Sequence, residues 1–114
     1  MTLQEIVEHL NLKVLTEGKD LSQIVPASGY TSDLLSCVMA GAKHKVLWVT
    51  LQSHINIVAV GALLDLSGII ITEGAMPDQA TIAKANEEGI PLLSTEKPTF
   101  FVVGKLWEMG LREA

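Results

Sequence analysis

The chain has 114 residues, 48% of them apolar and 18% charged, a length that suits one domain. Apolar content this high excludes a disordered chain, because there is ample side-chain surface to offset chain entropy. The formal charge of -5 argues against a general binder of the nucleic acid backbone, which needs a basic surface.

The elements follow in order along the chain. Leu3, Ile6, Val7 and Leu10 recur at helical spacing, and Thr2 with Glu5 has the form of a capping box. Asn11 ends that helix. Leu12–Thr16 alternates apolar and polar residues, Glu17-Gly18-Lys19 makes a turn, and Ile24–Ala27 reads as a second short strand. An N-terminal hairpin is therefore expected, with Pro26 keeping its second strand at an edge. Ser32 or Asp33 is expected to cap a helix running to Gly41. Val46–Thr50 is a buried strand. Ile55–Leu66 is a helix apolar on nearly every side, which suggests burial between layers. Gly68–Thr72 is the strongest strand in the chain. A helix capped near Asp78 runs to Glu88, with Gly89 as its stop. Pro91–Ser94 is a third core strand, and a last helix runs from about Pro98 to Met109.

Alternating strands and helices are the mark of βαβ units. The expected fold is α/β: a three-layer α/β/α domain over residues 1–114, with a mainly parallel sheet of three core strands (46–50, 68–72, 91–94) plus the N-terminal hairpin.

Cys37 is the single cysteine, so neither an intramolecular disulfide nor a thiolate-rich metal site can form. Its place beside Leu35 and Val38 suggests a small core residue. The acidic N-terminus has no basic region of a secretory signal. The longest largely apolar run, Ile55–Leu64, falls well short of the roughly 20 residues that cross a bilayer. A reduced, cytoplasmic setting with no membrane contact is expected. His9, His44 and His54 lack repeated metal-ligand spacing, and no metal or cofactor is expected. A P-loop is absent: Gly104-Lys105 is followed by Leu106, and Thr99 stands where its first glycine would be.

Open parallel sheets bind ligands outside the carboxyl ends of their strands. In this chain those ends carry Thr50, Gln52, His54 and Asn56, then Thr72, Glu73 and Gly74, then Thr95, with Ser32 and Asp33 opening an earlier helix. These ten residues are the candidate ligand-binding set, for a nucleotide or an anionic metabolite. Capping and turn duty accounts for each residue taken singly. Asp33, His54 or Glu73 would be the acid or base of any catalysis, and no complete catalytic constellation is legible.

The stretch Gly29-Tyr30-Thr31-Ser32-Asp33-Leu34-Leu35-Ser36, followed by Trp48-Val49-Thr50-Leu51-Gln52-Ser53-His54-Ile55-Asn56, resembles the DRTGG domain family. So do Ile69-Ile70-Ile71-Thr72-Glu73-Gly74 leading to Pro77-Asp78, and Gly89-Ile90-Pro91-Leu92-Leu93-Ser94-Thr95. The likeness runs from about Leu3 to Leu111. It implies an accessory role, regulatory or dimer-forming, rather than catalysis. Such domains resemble the N-terminal domain of HPr kinase/phosphorylase, and they occur in phosphate acetyltransferases and between CBS domains of some pyrophosphatases. For a free-standing member the resemblance implies a homodimer acting in trans on a partner protein, in a signalling or hydrogenase-related system. The five signature letters do not occur consecutively in this chain, whose corresponding loop reads Thr72-Glu73-Gly74, so no binding residue is carried over from the family. Exposed apolar faces for a second copy are expected either at Phe100, Phe101, Val103 and Trp107 or at Leu51, Ile55 and Ile57.

Overall fold

In the computed structural model, which describes residues Met1–Ala114, the helix Leu3–Leu10 (α1) opens the chain. Its capping box is complete: the Glu5 amide donates to Thr2 Oγ1 at 3.1 Å, and the Thr2 amide donates to Glu5 Oε1 at 2.8 Å. Asn11 closes the helix in the left-handed conformation. Then come β1 (Lys13–Val14), a short 3-10 turn at Leu21–Gln23, β2 (Ser28–Thr31), α2 (Leu35–Gly41) and β3 (Val46–Thr50). The chain continues through α3 (Asn56–Leu64), β4 (Gly68–Ile71), α4 (Gln79–Glu88), β5 (Leu92–Ser94) and α5 (Thr99–Met109). No helix is long and apolar enough to cross a membrane.

The sheet has five strands in the order β1-β5-β4-β3-β2. β2 to β5 are parallel and lie in chain order, while β1 runs antiparallel to β5. Parallel strands in sequential order, joined by crossovers of one hand, place the connecting helices on one face. Side-chain packing agrees. Val38 of α2, Ile57 and Val58 of α3 and Ala85 of α4 share a cluster with Trp48, Ile69, Ile71 and Leu92. The alternate strand residues, Leu47, Val49, Ile70 and Leu93, face the other way, onto Leu3 and Ile6 of α1 and Val102 and Leu106 of α5. Burial on both faces explains why these strands read as continuous apolar runs.

The three-layer α/β/α architecture is present, and the expected hairpin is not. The two N-terminal segments lie at opposite edges of the sheet. β1 joins β5, with Lys13 opposite Ser94, while β2 begins at Ser28, later than expected, and joins β3. Ile24, expected in a strand, instead lends its carbonyl to the Leu3 amide at the start of α1, at 2.8 Å. Alternating polarity marks a strand but not its partner.

Three further expectations are corrected. α2 has Leu34 at its cap position with no side-chain cap bond; Ser32 Oγ accepts the Leu34 amide at 3.2 Å, and Asp33 turns toward β3. α3 is a surface helix rather than one buried between layers: Leu63 is 69% exposed, whereas Ile57 and Val58 are fully buried against the sheet. α3 lies close to the sheet at Gly61, where a Cβ would come within 3.3 Å of Ile69 and 3.4 Å of Ile90. Cys37 is exposed on α2 rather than part of the core. By contrast, Asp78 caps α4, and Gly89 and Gly110 close α4 and α5 in left-handed conformations, at the positions their residue types predict.

Candidate functional site

Because β2 to β5 are parallel, the ten candidate residues all lie along one edge of the sheet, beyond the strands' carboxyl ends. They do not converge on one point. They form two hydrogen-bonded groups, with His54 and Asn56 at the start of α3 between them.

The first group joins the loops after β2 and β3. Asp33 Oδ1 accepts from the Thr50 hydroxyl and from the Leu51 amide, each at 2.9 Å. Gln52 Nε2 donates to the Asp33 carbonyl at 3.0 Å, and the Gln52 amide donates to Thr50 Oγ1 at 3.1 Å. Trp48, fully buried, donates its indole N–H to the Ser32 carbonyl at 2.9 Å. The polar side chains here are engaged with one another, as buried polar groups must be. Thr50 itself is fully buried.

The second group joins the loops after β4 and β5. The Thr72 and Thr99 hydroxyls lie 2.6 Å apart. Glu73 Oε2 accepts the Thr99 amide at 2.9 Å, so an internal carboxylate occupies the start of α5, where the helix dipole favours negative charge. Glu73 holds a positive φ of 62°, a conformation that costs a non-glycine residue energy. Its amide donates to the Lys97 carbonyl at 2.9 Å, and the Gly74 amide donates to the Thr95 carbonyl at 3.1 Å.

His54 Nδ1 accepts the Asn56 amide at 3.1 Å, so the ring caps the first turn of α3. In the neighbouring loop, hydrogen bonds from the Thr81 amide and then its hydroxyl hold the Asp78 carboxyl below the usual carboxylate range, with a smaller contribution from the charge of His54. No hydrogen bond or ion pair joins any two of Asp33, His54 and Glu73; each bonds a different partner. No three His, Cys, Asp or Glu side chains gather as metal ligands would. Of the ten candidates only Gly74 and Thr95 line a cavity, one they share with Asn11 and Lys13. Asn11 and Lys13 reach this edge through the antiparallel pairing of β1 with β5, which no local sequence pattern announces.

A small α/β domain with a mainly parallel sheet and a polar carboxyl edge belongs to the class of open-sheet α/β folds, in which ligands, where they bind, do so beyond the strands' carboxyl ends. The DRTGG domain model matches residues 5–109, and the chain belongs to that family. Among solved structures it is similar to the CBS and DRTGG domains of the regulatory region of Clostridium perfringens pyrophosphatase, complexed with its activator, diadenosine tetraphosphate. The match has a TM-score of 0.74 at 16% identity and covers 90% of this chain. This chain spans only 44% of that one, so the likeness is to part of that regulatory region. No curated protein matches by sequence.

Proposed function

We propose that this chain is a non-catalytic regulatory domain that pairs with a second copy of itself through α5 and acts in trans on a partner protein. The reading rests on the outer face of α5. Phe100 is 92% exposed, and Phe101 and Trp107 are partly exposed beside it. Four residues after Phe100, on the same stripe of the helix, Gly104 has open space where a side chain would stand. A knob and a hollow one turn apart make a self-complementary patch. Two α5 helices related by a two-fold axis would each seat Phe100 over the partner's Gly104, as an isologous interface requires. The alternative apolar face is weaker, because Ile57 is fully buried and only Leu51 and Ile55 are exposed there.

The occurrence of a DRTGG domain in the regulatory region of the pyrophosphatase supports a regulatory role, and the separation of Asp33, His54 and Glu73 supports one without catalysis. A cytoplasmic setting, and a partner in a signalling or hydrogenase-related system, complete this reading. Sedimentation velocity across a range of concentrations tests it. A dimer that Phe100→Glu and Gly104→Leu each weaken at least about tenfold is expected; a strict monomer would overturn the reading.

A second reading is a small-ligand sensor at the carboxyl edge, binding a nucleotide or anionic metabolite through Ser32, Asp33, Thr50, Gln52, His54, Asn56, Thr72, Glu73, Gly74 and Thr95. The exposed imidazole of His54 and the exposed Asn56 at the start of α3 favour it, as does the nucleotide activator bound to the related regulatory region. A thermal-shift panel tests it: a specific ligand at about 100 times its Kd adds about 2.7 kcal/mol of stability.

A further inference from the structure

The chain leaves the sheet toward opposite faces at only one pair of neighbouring parallel strands. After β2, β3 and β4 it crosses to the face that holds α2, α3 and α4. After β5 it turns to the other face, where α5 packs beside α1. Loops that diverge in this way open a crevice between their strands, and open α/β sheets take their ligands at such a point. A cavity of about 440 Å³ lies there, bounded by Gly74–Met76 on one side and Ser94–Lys97 on the other. Its size falls in the range of small-molecule sites, which runs from about 300 to 1,000 Å³.

We propose that this cavity binds a small phosphate-bearing metabolite with an apolar or planar body. The proposal narrows the second reading above to one place on the edge, and it does not depend on dimerisation. Two lysines from separate elements line the cavity, Lys13 of β1 and Lys97 of the loop before α5, against one carboxylate, Glu96; the Lys97 ammonium also lies 5.3 Å from the Phe101 ring centroid. Neither lysine forms an ion pair within the protein. Asn11 and Thr95 add an amide and a hydroxyl to the same wall. Point charges and neutral donors arriving from several directions suit a tetrahedral oxyanion, which accepts hydrogen bonds all round. Leu10 and Met76 supply the apolar surface for the rest of the ligand. Gly74 keeps the wall open: it has a positive φ of 73°, and a Cβ there would meet nothing nearer than Glu96 Cγ at 4.0 Å. The start of α5 is not the anchor, because Glu73 already holds the Thr99 amide.

Amide chemical shifts of the whole chain, followed during titration with AMP, ribose 5-phosphate and uncharged adenosine, test the proposal. Saturating shifts at Asn11–Lys13, Gly74–Met76 and Thr95–Lys97 are expected with AMP, ribose 5-phosphate or both. Lys13→Gln and Lys97→Gln, each with an otherwise unchanged spectrum, should weaken that binding at least about tenfold. Four outcomes would overturn it: no saturating shift up to about 10 mM, adenosine binding as tightly as AMP, affinity unchanged in both lysine variants, or shifts confined to Asp33–Asn56. The last would leave a ligand sensor standing while removing this cavity as its site.

Discussion

The Thr50 hydroxyl donates to Asp33 Oδ1 at 2.9 Å, and this bond fastens the loop after β2 to the end of β3. Asp33→Ala strips the acceptor from a fully buried hydroxyl and from the Leu51 amide. Unmet donors of this kind cost about 1–3 kcal/mol. Urea denaturation is expected to show that loss, with Asp33→Asn much milder because it keeps an acceptor oxygen. Equal losses in the two variants would mean that the negative charge, not the acceptor, is what the loops need.

Glu73 combines a helix-capping carboxylate with a strained backbone. Glu73→Ala removes the cap and keeps the strain, so it should cost about 1 kcal/mol. Glu73→Gly removes both, and the backbone relief of about 1 kcal/mol offsets the lost cap. The glycine variant is therefore expected to match the parent within error in thermal unfolding, and to be more stable than the alanine variant.

Acid should weaken the fold through three exposed carboxylates. Glu5 is held below its usual range by the Thr2 amide and hydroxyl, Asp20 by the Ser22 hydroxyl and amide, and Asp78 by the Thr81 amide and hydroxyl. Each therefore binds its proton less readily folded than unfolded. Their contribution is full above the unfolded-state values, near pH 4, and is lost as the pH falls through the lower folded ones. Circular dichroism melts between about pH 6 and 3 should show the midpoint falling mainly below about pH 4. Asp78→Asn keeps a capping oxygen and should make that acid limb shallower.

The two tryptophans report on different events. Trp48 is fully buried and Trp107 is 47% exposed, with the Arg112 guanidinium 4.4 Å from its ring centroid. Acrylamide should quench Trp107 and spare Trp48, so Trp107→Phe should leave a blue-shifted, poorly quenched emission. If α5 pairs with a second copy, quenching of Trp107 should fall as protein concentration rises through the dimer Kd. Trp48→Phe leaves a void and orphans the Ser32 carbonyl, at a cost of about 1–3 kcal/mol.

What the sequence disclosed follows from the range of the forces involved. β3 and β4 were legible because Val46–Val49 and Ile69–Ile71 are unbroken apolar runs buried on both faces. β2 was not, because Ser28-Gly29-Tyr30-Thr31 is an edge strand of small and polar residues, only partly buried. The partner of β1 was invisible for a different reason. It is set by contacts far along the chain, such as the Leu15 amide on the Leu92 carbonyl and the Leu92 amide on Thr16 Oγ1. The carboxyl edge could be foreseen, since parallel strands gather their ends. That Asp33 and Glu73 would spend their carboxylates on neighbouring segments could not, because those donors come from the end of β3 and from the start of α5.

The face carried by α1 and α5 has a consequence for how the protein is made. Leu3 and Ile6, near the start of the chain, share one cluster with Val102 and Leu106, near its end. On the ribosome, β2 through α4 can assemble as they emerge, because each helix packs beside strands already present. On the opposite side of the sheet, Leu47, Val49, Ile70 and Leu93 have α1 but not α5 to cover them until α5 is released. Synthesis therefore passes through a half-clad stage with an apolar sheet surface open to other chains. The release of α5, not of the central strands, decides when that exposure ends.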